Sequence, residues 1–219
     1  QDKGIKAPHF VFYIREYLAQ RYGERAIEEQ GLRVITTLDW NLQAKAEDIV
    51  LRYALENEKK FNAHNAGLVA VDPKSGQILA MVGSRDYFDA AIEGAYNIAL
   101  AKRQPGSSFK PFVYAQALLK GYTPETVVFD VATQFSTTCS PDTLEKEGEC
   151  YAPTNYDQVF RGPVTFREAL AQSINIPSIK VLYLAGLRDS LRLAKDLGIT
   201  TLENADRYGL TLVLGGGEV

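Results

Sequence analysis

The sequence predicts an α+β fold in layers, α/β/α, with helices over a central antiparallel sheet. Three observations point there. Two short apolar runs flank a Pro73-Lys74-Ser75-Gly76 turn, the last third carries apolar residues at helical spacing, and 46% of the 219 residues are hydrophobic, including 12 Tyr and 10 Phe. That much apolar side chain can fill one core, or one core and part of another.

Taken in order, Phe10, Tyr13, Ile14, Tyr17, Leu18 and Tyr22 recur at three and four, which predicts a helix over 10–22 with Gly23 as its stop. Residues 32–38 are β-branched and partly alternating, so a strand is expected. Asp39 can cap the helix that follows to about Phe61, with Leu42, Ala46, Ile49 and Tyr53 on its apolar face. Runs 66–72 and 77–83 form a hairpin, and their successive apolar residues imply cover on both sheet faces. A polar connection over 84–106 leads into a helix from Ser107 to Leu119, ended by Gly121. Residues 122–162 read mostly as loop. Helices are expected over 164–172, 177–185 and 190–197, the second with Pro177 in its permitted first turn and the third closed by Gly198. Leu210 to Leu214 reads as part of a further element. The sheet needs more strands than these.

With 24 Lys+Arg against 27 Asp+Glu, the formal charge is −3. No basic face is available for a nucleic-acid backbone, so that class is set aside. No apolar run is long enough to span a bilayer, and the first six residues carry no signal-like segment. The chain begins without Met and stops just after an apolar run, which reads as an excerpt from something longer. His9, His64, Cys139 and Cys150 lack the spacing of a zinc site, so neither metal nor cofactor is expected. Cys139 and Cys150 sit in a Ser/Thr/Pro/Asp/Gly-rich stretch. They read either as a disulfide-tied loop, stabilising by about 3 kcal/mol in the chain-entropy picture, or as two unrelated thiols in a reducing compartment.

Acyl transfer needs a nucleophile, a group to take its proton and donors for the oxyanion. Neither histidine has a nucleophile motif beside it. Ser107 and Lys110, at i and i+3 at a helix start, share a face at roughly 5–6 Å between Cβ atoms. The helix terminus favours developing negative charge, and apolar Phe109, Phe112 and Val113 should depress the ammonium pKa. The alternative is an ordinary cap with a solvated lysine. Ser173-Ile174-Asn175 offers a hydroxyl and a carboxamide in one turn between two helices, suited to proton relay and to holding a peptide amide, or simply to ending one helix and starting the next.

Together, Ser107-x-x-Lys110 and Ser173-x-Asn175 match two of the three signatures of penicillin-binding proteins and serine β-lactamases. Arg103 to Pro111, the 68–83 hairpin, Tyr151 to Asp157, Gly31 to Asp39 and Leu214 to Val219 resemble the transpeptidase domain of class A, bifunctional penicillin-binding proteins. The resemblance covers nearly the whole chain. It implies the penicillin-binding-protein/serine β-lactamase-like fold, with residues 1–31 as a linker or pedestal segment and 32–219 as the N-terminal portion of the transpeptidase domain.

The resemblance makes Ser107 the acylated nucleophile, Lys110 its proton acceptor, Ser173 a relay to the leaving amine and Asn175 the holder of the substrate amide. The implied reaction is D,D-transpeptidation of D-Ala-D-Ala stem peptides of peptidoglycan, with β-lactam antibiotics acylating the same serine. It also implies an extracytoplasmic site, a membrane-anchored parent with a glycosyltransferase domain, and cell-wall synthesis regulators as partners. Export agrees with the disulfide reading. The third signature, Lys-Thr/Ser-Gly on a strand beside the nucleophile, is expected beyond Val219. On that reading residues 1–219 alone are poorly active and leave a sheet edge unpaired. The rivals are a β-lactamase or D,D-carboxypeptidase of the same fold, and a non-catalytic module that binds β-lactams or peptidoglycan. Four intact motif residues argue against the latter.

Overall fold

The structure, a computed structural model, describes residues 4–144, 148–203 and 205–219. Residues 1–3 of the expected linker and 145–147 of the expected loop lie outside the described residues. The chain forms two compact units, Gln1–Ala101 and Lys102–Val219.

In the first unit, α1 (Pro8–Tyr22) and α3 (Trp40–Phe61) flank a hairpin of β1 (Leu68–Val71) and β2 (Ile78–Val82), with a short α2 (Glu24–Glu29) between the helices. Pro8 opens α1 because its missing N–H would be unpaired there anyway. Only the first turns of α1 reach the core, through His9 and Phe10, while Tyr17 and Tyr22 stay exposed. Asp39 caps α3 as its position predicts, its carboxylate accepting from Asn41 N and Leu42 N at 2.9 and 3.1 Å. The buried face of α3 is Gln43, Ala46, Val50 and Ala54, so Tyr53 points outward. Gln43 explains the difference. Its carboxamide donates to Met81 O and accepts from Met81 N, at 3.0 and 2.8 Å, standing in for a neighbouring strand along β2. A polar residue thereby becomes core, which apolar spacing cannot show.

The predicted strand over 32–38 does not form. Ile35 is 84% exposed, and with no apolar side chain to bury beyond Leu38, which packs against the Phe10 and Met81 cluster, the segment meets the sheet through Thr37 Oγ1 to Ile78 O and Asp39 N to Leu79 O. The hairpin does form, with Leu68 opposite Val82, Val69 opposite Met81 and a register shift between Ala70 and Val71. Cover on both faces holds for β2 alone. Ala80 and Val82 pack on Ala46 and Val50 of α3, and Met81 packs on Phe10 of α1. On β1, Val69 and Val71 remain exposed. The turn contains Lys74-Ser75-Gly76, the wording of the third signature, folded here as a reverse turn in which the Asp72 carboxylate accepts from the amides of Lys74 and Ser75. The letters recur without the strand they would need.

In the second unit a 3₁₀ turn, Gly106–Phe109, leads into α4 (Lys110–Leu119). Two unexpected strands follow, β3 (Val127–Asp130) inside the expected loop and β4 (Gly162–Thr165) running into the start of the helix expected over 164–172, antiparallel with Val127 opposite Thr165. Each has four residues, they lie more than thirty positions apart, and Pro163 weakens the strand pattern of β4. Thr165 then caps α5 (Phe166–Ala171) in a reciprocal box with Glu168, so this helix starts two residues later than its apolar spacing predicts. Helices α6 (Asn175–Ala185) and α7 (Leu187–Asp196) begin two and three residues earlier than expected, and a 3₁₀ segment runs over Gly209–Leu214. Ile176, Ile179, Val181, Leu182 and Ala185 bury most of α6, while Tyr183 stays exposed. Phe109, Val113 and Ala117 pack against it, with Leu212 and Val213 in the same cluster. Among the described residues the strands form two separate pairs rather than one central sheet. Mixed helix and antiparallel strand in layers is the α+β class expected.

Candidate active site

The site lies in the second unit around α6. Ser107 is exposed in the 3₁₀ turn, and Lys110 follows it by one turn. A 3₁₀ turn has three residues, so side chains at i and i+3 stand one above the other. The turn departs from the uninterrupted helix expected from Ser107, and it keeps the pairing that the Ser-x-x-Lys spacing needs. Gly106 enters it at φ +58°, and Gly215, at φ +79°, lies so close that a Cβ there would overlap the Gly106 backbone. Arg103 and Val219 exchange backbone hydrogen bonds beside this contact, at 3.1 and 2.9 Å. The segment 215–219 thus backs the turn that presents Ser107.

Lys110 is 1% exposed. Its Nζ donates to Ser173 O at 2.6 Å, Ser173 Oγ at 3.1 Å and Asn175 Oδ1 at 2.9 Å. An ammonium has three protons and no acceptor, so these oxygens satisfy all of it. Burial among apolar groups nevertheless pushes the Lys110 pKa down to about 8, with desolvation the only cause. An amine of that pKa is mostly protonated at neutral pH and keeps a minority neutral fraction, whose lone pair can accept a proton.

Ser173 reaches Lys110 because of its backbone. It holds φ +53°, left-handed and uncommon outside glycine. Its N–H bonds Leu170 O and the next, of Ile174, bonds Ala169 O, so α5 ends in a Schellman motif with serine in the place glycine usually takes. That turn sends both the carbonyl and the hydroxyl of Ser173 to Lys110. The Asn175 carboxamide is oriented by its Nδ2, which donates to Thr154 O at 3.2 Å, leaving Oδ1 for the lysine.

Three of the four predicted residues, Lys110, Ser173 and Asn175, therefore meet directly, and Ser107 stands one turn from Lys110. Cys139 and Cys150 are joined by a disulfide, S–S 2.02 Å, within the connection between β3 and β4. No metal-holding cluster occurs among the described residues. Residue spacing gave no role to Gly215, Asp130, Thr154 or Asn155. Thr154, Asn155 and Gly215 lie within the Tyr151–Asp157 and Leu214–Val219 wording, where no chemistry-bearing pattern marks them out, and Asp130 lay in a stretch that gave no signal.

The fold and this Ser/Lys/Ser/Asn arrangement define a chain of the penicillin-binding class. Residues 66–212 match the penicillin binding protein transpeptidase domain, and the chain belongs to that family. Penicillin-binding protein 2D of Bacillus subtilis is 34% identical over 89% of this chain and 27% of its own length. Penicillin-binding protein 1A of Pseudomonas aeruginosa is 34% identical over 77% of this chain and 19% of its own. The chain thus spans about a quarter or less of these relatives. Among solved structures, penicillin-binding protein 1A of Haemophilus influenzae superposes with TM-score 0.83 at 19% identity, covering 99% of this chain and 44% of that one. PonA1 of Mycobacterium tuberculosis in complex with penicillin V gives 0.72 at 22% identity, covering 97% of this chain and 55% of the other. No described helix is long and apolar enough to cross a membrane.

Proposed function

We propose that this chain carries the acylating half-site of a peptidoglycan D,D-transpeptidase. Residues 1–31 serve as the linker segment and 32–219 as the transpeptidase portion, acting outside the cytoplasm in a membrane-anchored protein that also carries a glycosyltransferase domain and answers to cell-wall synthesis regulators. The observation that carries the reading is the buried Lys110 amine, satisfied by Ser173 and Asn175 and close to neutral pKa. An oxidising compartment suits the Cys139–Cys150 disulfide.

In the proposed reaction Ser107 Oγ attacks the carbonyl carbon of the penultimate D-Ala in a stem peptide, and its proton passes to neutral Lys110 Nζ. Collapse of the tetrahedral adduct breaks the peptide bond. Ser173, bonded to Lys110, passes a proton to the departing D-Ala nitrogen, leaving an ester on Ser107. An amine of a second stem peptide attacks that ester, gives up its proton along the same path and restores the serine. Asn175 holds the substrate amide. A β-lactam offers Ser107 the same acyl group, and its ring opening forms the same ester.

Intact-mass spectrometry after incubation with benzylpenicillin tests this. One adduct, mapped to Ser107 and absent from Ser107→Ala, is expected. A folded wild-type chain with an adduct elsewhere, or with none both by itself and within the longer protein proposed above, sinks the assignment in favour of a non-catalytic module.

A further inference from the structure

The second motif is only as well placed as the start of α6, and that start lacks a cap of its own. Ile174 occupies the N-cap position and contributes no side-chain hydrogen bond. The first amides of any helix lack intrahelical acceptors, and buried ones need partners. Here Asn155 supplies the acceptor. Its Oδ1 takes both Asn175 N and Ile176 N, each at 3.1 Å, from a residue twenty positions upstream of the helix.

Asn155 is itself fixed. It is buried, and its Nδ2 donates to Asp130 Oδ1 at 2.7 Å and to Val159 O at 2.8 Å. Asp130, at the end of β3, is fully buried, and its other oxygen accepts from Arg161 N at 3.0 Å, with the Arg161 guanidinium at 3.7 Å. Every hydrogen-bonding site of the Asn155 carboxamide is thus engaged, its two amide protons toward Asp130 and Val159 and its oxygen toward the helix. The neighbouring Thr154 carbonyl turns the Asn175 side chain. A continuous path of hydrogen bonds runs from β3 through Asp130 and Asn155 to the backbone that bears Ser173 and Asn175, and ends on Lys110.

We propose that Asn155, held by Asp130, is a positioning residue that sets the Ser173 and Asn175 oxygens against Lys110. This rests on the acyl-transfer reading and adds to it a group that touches neither substrate nor nucleophile. The residue type follows from its two neighbours. A carboxylate at 155 would accept from the helix start equally well, yet it would place a second negative charge against Asp130 in a dry site. Asparagine alone offers an acceptor to the helix and a donor to the aspartate without adding charge. Misplacement of a reacting group by about 1 Å costs on the order of 10²-fold in rate.

The test compares Asn155→Ala, Asn155→Asp and the exchange Asp130→Asn with Asn155→Asp in the full chain. Three quantities are read: the rate of Ser107 acylation by a fluorescent penicillin across pH 6–10, the titration of the Lys110 amine by ¹⁵N NMR, and far-UV circular dichroism. Asn155→Ala is expected to acylate at least tenfold more slowly and to displace the Lys110 titration. Asn155→Asp should be slower still. The exchange should recover part of the rate, because the carboxylate at 155 accepts from α6 and the carboxamide at 130 donates back to it, while the bond to Val159 O stays lost. A folded Asn155→Ala with wild-type rate, or with an unmoved Lys110 titration, overturns the proposal. If Asn155→Ala does not fold, the exchange decides: no improvement over Asn155→Asp overturns it. A wild-type protein that never acylates, either as this chain or within the longer protein proposed above, retires the acyl-transfer reading separately, and the Lys110 titration still reports whether Asn155 places the motif.

Discussion

At Lys110 the fold works against the ordinary chemistry of an amine, and the consequence is measurable away from catalysis. Its folded pKa of about 8 lies below the ordinary lysine value of 10.5, so between those values the unfolded chain binds more protons than the native one. Stability therefore rises as pH climbs from about 8 to 10.5, and below 8 the full penalty, on the order of 3 kcal/mol, is present. Urea unfolding over that window should show the rise in the wild type and lose it in Lys110→Met. Ser173 makes the complementary case. A non-glycine residue in the left-handed region costs roughly 1 kcal/mol or more. Ser173→Gly should keep the turn and hold or raise the melting temperature while slowing Ser107 acylation by about 10²-fold or more, since the relay hydroxyl is gone. A variant that melts much lower and acylates normally would contradict both assignments.

Elements carry the next level of constraint. The 3₁₀ turn that presents Ser107 is shaped by Gly215, where a side chain cannot fit against Gly106. Gly215→Ala should cut acylation sharply while leaving the Lys110 contacts to Ser173 and Asn175 in place, which side-chain NMR of Lys110 can follow. The capping box of α5 is simpler: Thr165→Ala removes one acceptor from a helix start and should cost about 1 kcal/mol by chemical denaturation. These elements also mark where sequence reasoning reaches and where it stops. Asp39, the β1–β2 hairpin and α4 were legible because capping, turn chemistry and apolar period act within a few residues. Strands β3 and β4 were not, because each is four residues long and finds its partner across a long connection. Spacing also grouped Ser107 with Lys110 and Ser173 with Asn175. Only tertiary structure could show that Asn155 and Asp130 stand behind them, since a buried asparagine inside a loop looks like any loop asparagine. Conversely, residues 32–38 had the composition of a strand and, Leu38 apart, no apolar side chain to bury.

On the scale of the whole chain, the two units gain stability in the same direction, as pH rises, but in separate windows. In the first, His9 is buried and bonded to Ser84 at 2.9 Å, and Ser84 donates its proton to Gly94 O, so His9 Nε2 is the donor. Desolvation holds the His9 pKa below 6.5. The unfolded chain therefore binds the extra proton first as pH falls through 6.5, and stability is lost in that direction. Hydrogen exchange should show α3 and β2 losing protection as pH falls from 7 toward 5, with that loss removed in His9→Gln, while the second unit gains above pH 8 through Lys110. The contact between Gly106 and Gly215 adds a matter of timing. A ribosome delivers Gly215 long after Gly106. Until then the turn bearing Ser107 has nothing behind it. The turn that bears Ser107 therefore takes its final shape only when two segments about half this sequence apart meet, so its folding waits on a long-range closure rather than on local helix formation.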